Sequence, residues 1–106
     1  MNKNITPRET EEKIKNDGTV VIDVRTKEEY IKGHIKGSRN IDISGPTFME
    51  EIMKLDSGKN YLVYCLSGGR SSKAQKTMIG LGLNNIYNLN GGITAWIKDG
   101  LPTTRD

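Results

Sequence analysis

The sequence predicts a small α/β domain with a five-stranded, mainly parallel sheet and helices on both faces of that sheet. Its 106 residues provide for one domain, which we expect to span residues 1–106. Nearly continuous apolar runs such as Thr19–Val24 are typical of strands buried on both faces, as in parallel sheets. Amphipathic stretches alternate with these runs, and this alternation indicates strand–helix–strand units.

The first half of the chain contains three predicted strands and two predicted helices. Thr6 is a suitable N-cap for the first helix, and Pro7 is a suitable first helical residue. The apolar face of this helix is thin, with Ile14 as its one large member, so we expect it to lie at the surface. In order, the predicted elements are a short strand at Ile5, a helix over 7–16, a strand over 19–24, a helix capped by Thr26 and ended by Gly33, and a strand over 39–43.

The second half contains three predicted helices and two predicted strands. The predicted elements are a helix opened by Pro46, a strand over 60–64, a helix over 71–81, a strand over 85–89 and a helix after Gly91-Gly92. Apolar residues recur at helical spacing in the first of these helices, at positions 48, 49, 52, 53 and 55. Ala74, Met78 and Leu81 share one face of the second helix, and Trp96 of the last helix is expected to fill core space.

Composition and charge argue against two classes of partner. Sixteen Lys and Arg residues against 13 Asp and Glu residues leave a net charge of +3, and basic and acidic residues are interleaved. We therefore predict no nucleic-acid partner. No apolar run approaches the roughly 18 residues of a membrane span, so no membrane partner is predicted either.

The chain contains a single cysteine, Cys65. An intramolecular disulfide therefore cannot form, and we expect no metal site. A lone thiol suits a reducing compartment, and the polar N-terminal segment lacks the apolar region of a secretory signal. Together these features predict a cytoplasmic protein.

The chemistry-bearing segment follows the strand that ends at Tyr64. This strand delivers Cys65 to the carboxyl edge of the sheet, where open α/β sheets bind their ligands. A loop with Gly68 and Gly69 can direct successive N–H groups into one concavity, while Arg70 and the next helix N-terminus add positive charge. Such a loop binds an anion and lowers the pKa of the cysteine, which favours the nucleophilic thiolate.

These residues also have structural interpretations. A lone cysteine at the end of a buried strand is commonly a small core residue. The Gly-Gly-Arg-Ser-Ser segment after Cys65 favours the catalytic interpretation, because a cysteine that only packs needs no such loop. The hydroxyls of Ser67 and Ser71 are candidates to contact the bound anion, although Ser71 alternatively caps the helix.

Three blocks of the sequence, in order, resemble the signatures of rhodanese-like domains. The first block contains Asp23-Val24-Arg25, Glu29-Tyr30, Gly33-His34-Ile35, Gly37 and Asn40-Ile41. The second is Tyr64-Cys65 followed by Leu66 to Arg70. The third contains Leu89, Gly91-Gly92-Ile93, Ala95-Trp96 and Gly100-Leu101-Pro102. The resemblance covers nearly the whole chain and implies a three-layer, rhodanese-like fold.

The resemblance implies a sulfurtransferase that works through a persulfide on Cys65. The cysteine attacks the outer sulfur of a small anionic donor such as thiosulfate, and cyanide, a thiol or an acceptor protein then takes the sulfur. The backbone N–H groups from Leu66 to Arg70 would hold the persulfide, and Arg70 would bind the donor's sulfonate or steady the loop. No cofactor is implied. The alternative function is a non-enzymatic sulfur relay or protein-binding module. In either case we expect the protein to be a monomer or a weak homodimer.

Loop length separates sulfur transfer from phosphatase chemistry among proteins of this fold. The six residues from Cys65 to Arg70 match the sulfur-transferring members, whereas the related phosphatases and arsenate reductases have seven. Phosphatase or arsenate reductase activity is therefore a distant alternative. Leu66 departs from many thiosulfate-active members, which carry Arg or Lys after the cysteine. This departure predicts weaker thiosulfate affinity rather than loss of the persulfide, and it favours a different donor.

Asp23 and Arg25 lie at the carboxyl end of a predicted strand, on the same edge of the sheet as Cys65. They either support the pocket or order the connections, with Asp23 capping backbone amides and Arg25 pairing with Glu29; we favour the ordering role. His34 is the only histidine and an alternative acid–base partner for Cys65. The resemblance places it in a turn remote from the loop.

Overall fold

Five parallel strands form one sheet in the computed structural model, which describes residues 3–106. The strand order across the sheet is β1-β5-β4-β2-β3, so β4 lies at the centre. The strands are β1 (Asn4–Ile5), β2 (Val20–Asp23), β3 (Arg39–Asn40), β4 (Tyr61–Tyr64) and β5 (Ile86–Leu89). The predicted α/β architecture with a parallel sheet is thereby confirmed, and all four strand pairings among the described residues are parallel.

Five helices connect or follow these strands. They are α1 (Pro7–Asn16), α2 (Lys27–Ile31), α3 (Phe48–Met53), α4 (Gly69–Gly80) and α5 (Gly92–Lys98). Thr6 and Thr26 cap α1 and α2 as predicted, each in a capping box with the glutamate three residues later. Within residues 3–106, no helix is long and apolar enough to cross a membrane.

The core consists of one hydrophobic cluster on each face of the sheet. Successive residues of β4 alternate between the clusters, because side chains of a strand point to opposite faces. Val63 and Cys65 pack with residues of α3 and α4, whereas Leu62 and Tyr64 pack with Ile93 and other residues of α5. Helices therefore cover both faces, and the Cys65 side chain belongs to the face that carries α4.

Three predicted boundaries differ from the structure by two or more residues. The strand expected over 39–43 is limited to Arg39–Asn40 at the edge of the sheet, although the N–H groups of Ile41 and Ile43 still donate to the carbonyls of Asp23 and Val24. The helix expected to open at Pro46 begins at Phe48, after turns over 43–47. The helix expected over 71–81 begins at Gly69, because Gly68 adopts a positive φ of 116° as its N-cap and starts the helix earlier.

The predicted apolar faces of two helices are only partly buried. In α3, Phe48 and Ile52 pack into the core, whereas Met49 and Met53 are exposed. Leu81 is also exposed, because α4 ends at Gly80 and the turn at Gly82 brings Leu83 into the core instead.

Trp96 is buried as expected, and its indole N–H donates to the carbonyl of Pro102 at 2.8 Å.

Candidate active site

The candidate active site lies at the carboxyl end of the central strand β4. Cys65 follows Tyr64 directly, and only the residues from Leu66 to Gly68 separate it from α4. The Cys65 side chain is almost completely buried, whereas Leu66, Ser67 and Gly69 are exposed. The loop thus holds the thiol inward and presents its own backbone to solvent.

Hydrogen-bond donors converge on the sulfur of Cys65. The backbone N–H of Gly68 lies 3.1 Å from Sγ, the N–H of Ser71 lies 3.4 Å away and the Ser71 hydroxyl lies 3.3 Å away. Burial raises the pKa of the Cys65 thiol, but hydrogen bonds from the Ser71 hydroxyl and from the N–H groups of Ser71, Gly68 and Ser67 outweigh it, so the pKa lies below its ordinary value. The loop therefore favours the thiolate.

The carbonyl of Gly68 accepts hydrogen bonds from several groups, which hold the peptide between Gly68 and Gly69 at the start of α4. The N–H of Ser72 donates to it at 3.0 Å, the Ser71 hydroxyl lies 3.2 Å away and the side-chain amide of Asn88 donates at 3.4 Å. Ser71 can therefore direct its one hydroxyl proton either to Sγ or to this carbonyl. Asn88 was not predicted as a site residue, and no local sequence signal marks it, because it reaches the loop from β5.

The N-terminus of α5 fixes the other side of the loop. The N–H groups of Ile93 and Thr94 donate to the carbonyls of Cys65 and Leu66 at 3.0 and 3.1 Å. Gly92 makes this approach close, since a Cβ there would lie 2.4 Å from the Leu66 carbonyl oxygen, and its φ is +61°. The Gly91-Gly92 signature thus corresponds to a backbone contact that a side chain would block.

Arg70 forms an ion pair with Glu29. Its two terminal nitrogens lie 2.8 and 3.0 Å from the two carboxylate oxygens, which is a bidentate pair. The hydrogen bond from Arg70 is the largest influence on Glu29 and lowers its pKa to about 2. Of the two predicted roles of Arg70, this geometry favours steadying the loop over binding a sulfonate, because the guanidinium charge is already paired with the Glu29 carboxylate. Sequence reasoning did not identify Glu29 as the partner.

The pairing predicted between Arg25 and Glu29 is wrong, because Arg25 pairs with Asp23. The Arg25 guanidinium binds the Asp23 carboxylate at 2.7–3.0 Å and also donates to the carbonyl of Gly33 at 2.8 Å. The Asp23 carboxylate accepts the Arg25 backbone N–H as well, at 2.9 Å. Both residues are buried, so the pair ties the end of β2 to the turn after α2, in agreement with the ordering role.

His34 makes its contacts away from the cysteine loop. Its ring stacks on Tyr30 with centroids 3.7 Å apart, and Nδ1 lies 2.8 Å from the Tyr30 carbonyl oxygen. The neighbouring Ile35 donates its N–H to the hydroxyl of Tyr64 at 3.1 Å. The turn therefore holds the side chain of Tyr64, the residue before Cys65. Among the described residues, His34 itself makes no contact with the sulfur of Cys65.

The fold and the site define an α/β domain that carries, at the end of its central strand, a cysteine loop whose hydrogen-bond donors converge on the sulfur. Residues 6–99 match the family model for the rhodanese-like domain, and the chain belongs to this family. A rhodanese-related protein from Thermoplasma volcanium has a similar structure, with a TM-score of 0.88 and 38% identity over 98% of this chain and 99% of that one. A rhodanese-like domain protein from Staphylococcus aureus gives a TM-score of 0.80 at 28% identity, covering 89% of this chain and 90% of the other.

The curated relatives include sulfurtransferases and a larger enzyme. The chain is 36% identical to thiosulfate sulfurtransferase 16 of Arabidopsis thaliana, over 77% of each chain. It is 32% identical to the thiosulfate sulfurtransferase GlpE of Ectopseudomonas mendocina, over 89% of this chain and 84% of the relative. It is 33% identical to a tRNA uridine(34) hydroxylase of Bacillus velezensis, over 92% of this chain but only 31% of the relative. Of these three relatives, the two sulfurtransferases are matched over most of their length, whereas the hydroxylase is matched over about a third of its length.

Proposed function

We propose that this protein is a sulfurtransferase that carries a sulfane sulfur as a persulfide on Cys65. The observation that carries the proposal is the set of donors around Sγ, namely two backbone N–H groups and one hydroxyl within 3.1–3.4 Å. These donors favour the thiolate and are placed to stabilise negative charge on sulfur. The relatives named as thiosulfate sulfurtransferases support the same reaction class.

The proposed reaction has two half-reactions. The Cys65 thiolate attacks the outer sulfur of thiosulfate or of another sulfane donor, the donor's S–S bond breaks, and sulfite or the donor thiolate leaves with the electron pair. The anion then resides on the outer sulfur of the Cys65 persulfide, where exposed N–H groups of the loop can bind it. In the second step an acceptor such as cyanide or a thiolate attacks that outer sulfur, and the electron pair returns to Sγ.

Intact-mass spectrometry after incubation with thiosulfate tests the first half-reaction. We expect one added sulfur atom on the wild type, an equal amount of released sulfite, and no adduct on Cys65→Ser. A cyanide chase should then remove the sulfur and release thiocyanate. A thiol that alkylates freely but accepts no sulfur from thiosulfate or from organic persulfides would contradict the proposal.

A sulfur relay between proteins is the second candidate. It is favoured by Leu66, which is 48% exposed beside the nucleophile and adds no charge for a small anion. Steady-state kinetics separate the two functions, because an enzyme turns over repeatedly with small donors and acceptors whereas a relay transfers one sulfur per encounter. The tRNA hydroxylase activity of the larger relatives is not proposed, since the chain spans 31% of one such relative.

A further inference from the structure

A cavity of about 220 Å³ lies beside the cysteine loop, between α2 and α5. Leu66, the residue after the nucleophile, lines it together with Ile93 and Ile97 of α5. Leu66 and Ile97 are 48% and 56% exposed, so their apolar surface is available to a ligand rather than committed to the core. The cavity is smaller than the pockets that hold drug-sized ligands, which begin at about 300 Å³, and it therefore suits a small molecule.

The charged groups around the cavity are internally paired, with one exception. Arg25 is bound to Asp23, and Glu29 is bound to Arg70. Lys32 also lines the cavity, its side chain is exposed, and within residues 3–106 its ammonium group has no recorded ion pair or hydrogen bond. The cavity thus combines an apolar wall next to the nucleophile with one unpaired positive charge.

We propose that this cavity binds the sulfur acceptor and selects a small organic thiol with an apolar chain and a terminal carboxylate. The chain would pack on Leu66 and Ile97 while the carboxylate pairs with Lys32. This inference rests on the proposed persulfide chemistry of Cys65. The acceptor thiolate attacks the outer sulfur of the persulfide, the Cys65 S–S bond breaks, Sγ leaves as the thiolate, and the acceptor departs as an organic persulfide. No oxidant or reductant is required, because sulfur and charge balance between the two thiols.

The test is a single-turnover assay on protein loaded with persulfide and freed of donor. Three thiols of similar length serve as acceptors: 3-mercaptopropionate, 2-mercaptoethanol and cysteamine, whose far groups are negative, neutral and positive. The rate at which the added sulfur disappears is followed by intact mass, and each rate is divided by the fraction of that acceptor present as thiolate. For the wild type we expect 3-mercaptopropionate to react about fivefold faster than 2-mercaptoethanol, and cysteamine to react slowest, as expected for one solvent-screened ion pair.

Variants identify the groups responsible for this order. Lys32→Gln should abolish the preference for 3-mercaptopropionate, and Ile97→Asp should favour cysteamine by placing a carboxylate in the wall. Lys36→Gln is the matched control, since Lys36 is an exposed lysine that does not line the cavity. Equal rates for the three thiols, or a preference that survives Lys32→Gln, would overturn the proposed acceptor site. Failure of every donor to load Cys65 would instead overturn the proposed function, so the two failures are distinguishable.

Discussion

Replacement of Ser71 by alanine is expected to raise the pKa of Cys65. The hydroxyl that this change removes lies 3.3 Å from Sγ, while the Ser71 backbone N–H at 3.4 Å remains. Burial opposes the thiolate in both proteins, and the hydroxyl is the strongest of the four donors that offset it. The variant therefore keeps the burial that raises the pKa of Cys65 and loses one of the hydrogen bonds that lower it.

The size of the effect follows from the energy of a hydrogen bond to a charged group. Such bonds contribute about 1.5–3 kcal/mol, and the polarisable sulfur acceptor with a bond of 3.3 Å places this one at the lower end. A loss of about 1.5 kcal/mol corresponds to about a tenfold decrease in the acid dissociation constant of the thiol. The rate of alkylation falls less than this at low pH, because a thiolate of higher pKa is intrinsically more nucleophilic.

The assay is the pH profile of Cys65 alkylation by iodoacetamide, whose midpoint reports the thiol pKa. Ser72→Ala is the control, since Ser72 occupies the next position of α4 and its side chain has no recorded bond to the sulfur. We expect the Ser71→Ala midpoint to move upward and the Ser72→Ala midpoint to coincide with that of the wild type. Coincident midpoints for the wild type and Ser71→Ala would refute the assignment of Ser71 as a thiolate-stabilising donor.

Three further predictions concern the supports of the loop. Gly92→Ala should destabilise the fold by about 2–4 kcal/mol in urea unfolding, because its Cβ would lie 2.4 Å from a backbone oxygen. Gly80→Ala is the control, since a Cβ at Gly80 would meet open space, and this variant should have unchanged or increased stability. Glu29→Gln should lower the free energy of unfolding at neutral pH. The difference in this free energy from the wild type should shrink as pH falls below 4.5 toward about 2, because the lowered pKa of Glu29 contributes stability only where the carboxylate is ionised. A difference that does not change with pH would be inconsistent with the ion pair. Leu66→Arg should lower the KM for thiosulfate about fivefold, with the gain weakening in high salt, and an unchanged KM would show that charge after the cysteine does not limit binding.

Local sequence patterns were sufficient for most elements of the fold. Thr6 and Thr26 cap helices as predicted, and the apolar runs became β2, β4 and β5. The errors fall where tertiary contacts outweigh local pattern. Leu81 matches a helical face in the sequence, yet it is exposed because α4 ends one residue earlier. Whether an apolar residue is buried depends on where the neighbouring elements lie, and periodicity alone does not contain that information.

The sequence by itself determined the order of strands and helices along the chain, the parallel arrangement of the sheet and the segment that holds Cys65 at the end of a strand. These features depend on neighbours a few residues apart, where spacing and capping are visible in the chain. Only the tertiary structure decided that Arg70 pairs with Glu29, that Arg25 pairs with Asp23 and that Asn88 supports the loop. Glu29 lies 41 residues from Arg70 along the chain, and Gly68, which accepts the hydrogen bond of Asn88, lies 20 residues from Asn88. Several charges of suitable sign were available to each arginine, and the packing of the helices on the sheet selected the one within reach.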